Sequence, residues 1–142
     1  MPDSPVTAAP RWRSDYSVGV ESIDKEHQHL FALAESLHVA IRTGGGTEKL
    51  RAILSELVAY TSFHFEHEEK LMADVGYPHL EEHRKEHQDF KRRVQNMSSP
   101  CTGGDENTPN YVLSCIVQWL RCHTMSSDRR IGTYMRRRGI VA

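Results

Sequence analysis

Residues 57–90 read LVAYTSFHFEHEEKLMADVGYPHLEEHRKEHQDF, two apolar helical stripes with polar residues set inside them. Leu57, Thr61, His64, Glu68 and Leu71 recur at the three- and four-residue steps of one helix face, so His64 and Glu68 point where a core belongs. Past Gly76 and Pro78, Leu80, His83, His87 and Phe90 repeat the pattern, which turns His83 and His87 inward as well.

The flanking sequence has the same periodicity. A first helix is predicted over 22–42, capped by Ser22 and ended by Gly44-Gly45-Gly46. Its stripe of Ile23, Leu30, Ala34, Leu37 and Ile41 has one gap, filled by His27. The second helix is predicted over 48–75, with Thr47 as cap, Gly76 as stop, and Leu50, Ile53 and Val75 extending its stripe. A third, over 79–97, continues through Val94 and Met97, and 98–107 is a loop. A fourth starts with Thr108 as cap and Pro109 in its first turn. Its Val112, Ile116, Trp119 and Leu120 lead to His123, again inward. A short last helix covers 128–138, and no β-alternation of useful length appears. Residues 1–20 hold three prolines and read as an extended arm, with Trp12, Tyr16 and Val18 available to pack on the domain. The expectation is an all-α chain. Residues 21–142 form one antiparallel up-down-up-down four-helix bundle, with an N-terminal arm and a short C-terminal helix.

Five histidines and a glutamate, His27, His64, Glu68, His83, His87 and His123, thus face one interior from four helices. Burying an unpaired carboxylate and several imidazoles costs several kcal/mol. Protonated, the rings repel; neutral, they compete for few donors. A multivalent cation removes the conflict, because every one of these groups donates a lone pair to it. The pairs His64/Glu68 and His83/His87, each four apart, stack on one face a turn apart and can reach one ion or two adjacent ions. His29, His38, His67 and His79 fall off the stripes or at a helix start and are expected to face solvent.

Composition narrows the rest. The chain of 142 residues fits one domain that needs no metal to complete a core. A net charge of −1 and a pI near 6.7 give no reason to expect nucleic acid or anionic lipid. Arg136-Arg137-Arg138 falls short of a basic patch and reads as a solvated helix end. Cys101, Cys115 and Cys122 form no CxxC; Cys115 and Cys122, seven apart, read as small apolar packing in a reducing compartment. The opening MPDSPVTAAP has no apolar signal region, and no apolar run approaches the ~20 residues of a membrane span, so a cytoplasmic protein is expected.

The motifs resemble the hemerythrin family in its prokaryotic form over about residues 12–135. The matching pieces are Trp12 with Tyr16-Ser17-Val18-Gly19-Val20, IDKEH at 23–27, HFEHEEKLM at 64–72 and GYP at 76–78. They continue with the His83/His87 pair and WLRCH at 119–123 with Asp128. The resemblance implies two iron ions joined by an oxo or hydroxo bridge. His83, His87 and His123 hold one ion, His27 and His64 the other, and Glu68 and Asp128 bridge them. It implies an open position that binds dioxygen reversibly, hence a carrier, store or delivery protein rather than an enzyme. It further implies a pocket lined by Leu30, Phe65, Trp119, Leu120 and Thr124. A monomer is expected, with at most transient contact to an oxygen-using protein. Asp128 enters only through the resemblance. Five residues after His123, it stands about 140° off the stripe and on spacing reads as an N-cap, unless the helix breaks or bulges into a π turn near Ser126-Ser127. Thr124 departs from the family pattern, which usually has an apolar residue there.

Other readings are weaker. His83-Arg84-Lys85-Glu86-His87 fits the zinc-peptidase HxxEH with Glu86 as base, but leaves His27, His64 and Glu68 buried without purpose. The E-x-x-H pairs Glu26/His29 and Glu35/His38 share one helix, so they do not build a ferritin-type site. The same di-iron centre could instead serve a peroxide- or nitric-oxide-handling enzyme, or an oxygen or iron sensor.

Overall fold

The computed structural model describes residues 11–44, 46–97 and 108–140. Residues 1–10 of the expected arm, the loop at 98–107 with Cys101, and the side chains of Thr47, Met97 and Thr108 lie outside that description. The described residues form five α-helices: α1 (Glu21–Arg42), α2 (Thr47–Asp74), α3 (Leu80–Met97), α4 (Thr108–His123) and α5 (Arg129–Arg137). No strand occurs among the described residues. The chain is all-α. Contacts of α1 with α2 and α4, and of α3 with the same two helices, close a ring of four helices.

Helix boundaries follow local chemistry. Gly76 ends α2 in the left-handed region (φ 68°), and the Tyr77 N–H returns 2.9 Å to the Met72 carbonyl. Ser22 does not cap α1: the helix begins at Glu21 and no side chain caps it. Asp24 acts instead, accepting the Val18 N–H at 2.8 Å and the Ser17 hydroxyl at 2.5 Å, which ties the preceding segment to the first turn. The helix of Thr47 begins at that residue, with Gly46 (φ 86°) in the capping position, so Thr47 is not the cap.

Two apolar clusters lie on either side of the polar residues along the bundle. The larger holds Leu30, Phe31, Leu57, Phe65, Phe90 and Leu120 among others, with Trp12 and Tyr16 packed against it. The smaller holds Val18, Val20, Ile23, Met72, Tyr77 and Ile131. Each such buried side chain contributes roughly 1.5–3 kcal/mol. At Gly132 the backbone of α5 meets the segment before α1, where a Cβ would lie 1.7 Å from the Val18 carbonyl oxygen. Only glycine allows that approach.

Three surface expectations change. His38 is buried at 6% exposure, because α1 packs on two neighbours and buries a wider arc than one stripe, Leu33 and Ala40 included. His67 is half-buried against Glu26. Cys122 is exposed and Cys115 half-buried, so Cys122 is not a packing residue: it stands a full helical step from the inward His123. No helix among the described residues is long and apolar enough to cross a membrane.

Candidate metal centre

All five stripe histidines and Glu68 converge at the level between the two apolar clusters, each at most 5% exposed. Asp128 joins them at 1% exposure. The device that turns it inward is a five-residue π turn, Thr124–Asp128, between α4 and α5. Its wider step removes the angular offset that a regular α-helix gives a residue five positions after His123. Asp128 occupies the position before α5 but makes no capping hydrogen bond. Its oxygens face histidines instead.

The donor atoms fall into two groups. One comprises Glu68, His83, His87, His123 and Asp128; the other His27, His64, Glu68 and Asp128. Within each, the ligand atoms lie within 4.8 Å of one another. The two carboxylates belong to both groups, and each divides its oxygens between them. Glu68 Oε1 stands 2.7 Å from His83 Nε2 and 3.0 Å from His87 Nε2, whereas Oε2 stands 3.5 Å from His64 Nε2. Asp128 Oδ1 stands 2.9 Å from both His83 Nε2 and His123 Nε2, whereas Oδ2 stands 2.9 Å from His27 Nε2. This is the arrangement of two carboxylates bridging a pair of cations.

Proton accounting shows that the residues fit such a pair. Glu69 accepts a hydrogen bond from His87 Nδ1 at 2.9 Å, Glu86 one from His123 Nδ1 at 3.0 Å, and Glu26 one from His64 Nδ1 at 2.6 Å. Ionised carboxylates only accept, so these rings carry their protons on Nδ1 and turn bare Nε2 lone pairs inward. Yet His123 Nε2 lies 3.0 Å from His83 Nε2 and 3.1 Å from His87 Nε2. Both nitrogens of His27, Glu68 Oε2 and both Asp128 oxygens are buried without a hydrogen-bond partner. Lone pairs crowded against lone pairs in a dry core are costly unless a cation sits among them.

Without a cation, protons must do that work. Burial alone would lower the pKa of His83, but Asp128 and Glu68 outweigh it and hold it up at about 9. Burial also opposes charge on His123 and His27, and again the carboxylates, Asp128 foremost, win and raise both. Glu68 and Asp128 move the other way. Burial pushes both up, but the surrounding histidines pull both well below the usual carboxylate range. The centre therefore attracts positive charge, as protons or as metal.

A family model, the hemerythrin HHE cation-binding domain, matches residues 18–134. The chain belongs to the hemerythrin family. Among its relatives, a bacteriohemerythrin of Clostridium acetobutylicum is 29% identical, over 83% of this chain and 95% of that protein. A bacteriohemerythrin of Pseudomonas aeruginosa is 32% identical, over 82% and 75% respectively. A myohemerythrin of Riftia pachyptila is 30% identical, over 82% and 86%.

Two of the buried rings carry an aromatic side chain on one face. Phe65 stacks on His87 with ring centroids 3.8 Å apart, and Trp119 stacks on His123 at 4.2 Å. Leu30, Phe65, Leu120 and Thr124 are buried, and Trp119 is half-buried. Helical periodicity did not single out Glu26, Glu69 and Glu86. Each is a sequence neighbour of an inward residue, and that adjacency was the available signal. Glu86 also accepts the Ser127 hydroxyl at 2.7 Å, and the His123 hydrogen bond helps hold its carboxyl down at about 2. It is committed to orienting His123, not free to act as the base of a zinc peptidase. His29 and His79 are exposed, and His29 lies against the Tyr60 ring.

Proposed function

We propose that this chain binds dioxygen reversibly at a pair of iron ions and acts as an oxygen carrier, store or delivery protein. His83, His87 and His123 hold one ion, His27 and His64 the other, and Glu68 and Asp128 bridge them. The observation that carries this reading is the division of both buried carboxylates between the two histidine groups. When bound, a carboxylate-bridged iron pair supplies two adjacent redox-active ions, the chemistry that reversible dioxygen binding needs. The two-histidine group offers one nitrogen fewer, which leaves room for a small ligand on that side.

The chain's own residues keep the site selective. Glu26, Glu69 and Glu86 fix ring tautomers and orientations. Leu30, Phe65, Trp119, Leu120 and Thr124 line the ligand pocket, exclude bulk water and slow irreversible oxidation. The architecture that serves this is an up-down-up-down bundle in one domain, 21–142, with residues 1–20 as an arm. In support, Ile23 of the smaller apolar cluster precedes His27 on α1, whereas Met72 of that cluster follows Glu68 on α2. The order reverses again with Leu80 before His83, and once more with Ile131 after Asp128. We place the protein in the cytoplasm as a monomer, with dioxygen as its ligand.

Metal analysis of the purified protein together with absorption spectra tests this. About two irons per chain are expected, with charge-transfer bands that appear under dioxygen and vanish under argon through repeated cycles. A single ion per chain overturns the reading. Continuous consumption of peroxide or nitric oxide with a reductant replaces it with the enzyme reading.

A further inference from the structure

The outer side of the π turn and α5 carries a second feature, unrelated to the metal ligands. A cavity of about 690 Å³ opens between the α2–α3 turn and α5, walled by Arg129, Arg130, Arg137, Arg138, Tyr77 and Tyr134. Arg130, Tyr134 and Arg137 follow at four- and three-residue steps and so share one helix face. No carboxylate lines the cavity among the described residues.

The arginines are poorly compensated. Arg11, Arg13, Arg84 and Arg92 each pair with a carboxylate, whereas none of the four groove arginines does among the described residues. Arg129 donates to the Asp15 backbone carbonyl and to the Met125 sulfur, neither of which carries charge. Arg138 lies over the Tyr134 ring, 5.1 Å from its centroid. Of the nearby acids, the Asp15 carboxylate pairs with Arg13 at 3.1 Å and Asp128 faces the buried histidines, while Glu82 meets His79, a groove residue, at 3.3 Å and pairs with none of the four arginines. The helix C-terminus accounts for Arg137 and Arg138, but Arg129 and Arg130 lie two turns back, beyond its reach. Four like charges around one concavity repel unless an anion joins them.

We propose that this groove binds a small organic polyanion of the phosphate-ester class. Guanidinium forks match phosphate oxygens two at a time, and four of them exceed what one monoanion can use. The volume lies within the roughly 300–1,000 Å³ of small-ligand sites, more than inorganic phosphate fills. The tyrosine rings give the carbon skeleton an apolar wall. Met125 is the one exposed large apolar side chain at the groove, too little to anchor a bilayer.

Calorimetric titration of fructose 1,6-bisphosphate into the metal-loaded full chain at ~0.15 M salt tests the site, with metal content measured before and after. Saturable one-to-one binding is expected. Arg130→Gln and Arg137→Gln should each weaken it about tenfold or more. Arg136→Gln, outside the groove, should leave it within about twofold. The lipid arm uses phosphatidylcholine vesicles with and without phosphatidylglycerol. Absence of binding at millimolar ligand, equal weakening by Arg136→Gln, heat that survives in the Arg130→Gln/Arg137→Gln double variant, or association with the anionic vesicles alone each overturns the proposal.

Discussion

The two halves of the metal centre are built to different tolerances. On the three-histidine side, two of the three rings, His87 and His123, each have a glutamate fixed on the far nitrogen and an aromatic ring stacked on the face, whereas His83 has neither among the described residues. On the two-histidine side, His64 is held by Glu26 at 2.6 Å, but His27 Nδ1 has no hydrogen-bond partner. A ring with a carboxylate behind it is fixed in tautomer and angle and is the stronger donor; a ring without one can tilt. On the proposed reading, the three-histidine half would hold the coordinatively complete ion, and the two-histidine half the ion whose surroundings change when a small ligand arrives. The shared carboxylates are what couple them, so the most damaging change should be there. Glu68→Ala removes one oxygen from each group, and we expect both ions to be lost, not one. Metal analysis after dialysis checks this. Retention of one full equivalent would show that the halves load independently.

Next in size are the orienting glutamates. Losing such a partner typically costs about 10–100-fold in metal affinity. Glu26 is 12% exposed and accepts from both His64 and His67, so Glu26→Gln should approach the upper end. Glu69→Gln should be intermediate at 21% exposure. Glu86→Gln should be mildest, since at 46% exposure water can replace it. Competition against a chromophoric chelator ranks the three. The reverse ranking would mean that the two-histidine half is not the one dependent on a single support.

A smaller effect separates protons from metal as the positive charge between the halves. In the metal-free protein, Asp128 and Glu68 hold His83 at about 9 against an ordinary value of 6.5. A histidine raised in the folded state stabilises that state fully below its unfolded value and loses the contribution as pH climbs through the folded one. The melting temperature of the apoprotein should therefore fall between pH 7 and about pH 9.5, while the loaded protein, whose ligands have already given up their protons, should not follow. Parallel curves would break this account.

The contrast between the halves also marks what the sequence could say. His27, His64, Glu68, His83, His87 and His123 are legible because a helix repeats faithfully, and a polar residue on an apolar stripe has nowhere to go but inside. Asp128 is not legible from spacing, since its inward turn depends on one π step that no residue pattern announces. The orienting glutamates hide in charged runs, DKEH at 24–27, EHEE at 66–69 and KEH at 85–87, that look like any solvated helix face. His38 was misplaced because the width of the buried arc on α1 depends on how many helices pack against it, a tertiary fact. The arginine groove escaped for the same reason. Its four arginines and Tyr134 are distant in sequence from Tyr77, and adjacency of arginines alone resembles an ordinary helix end.

Thr124 offers the finest adjustment of all. It opens the π turn directly after His123 and is 1% exposed, so its hydroxyl is shut away from bulk water. A hydroxyl there gives water or a proton a foothold that a methyl group does not, and on the proposed reading such a foothold would favour irreversible oxidation of the loaded site. Replacing it with isoleucine adds volume beside Asp128, at a packing cost of about 1–3 kcal/mol, so melting and metal content must be followed alongside the rate. With two ions retained, Thr124→Ile should slow the aerobic decay of the oxygenated absorption band severalfold. A faster decay in the isoleucine protein would assign the hydroxyl the opposite task, donating a hydrogen bond that steadies the bound ligand.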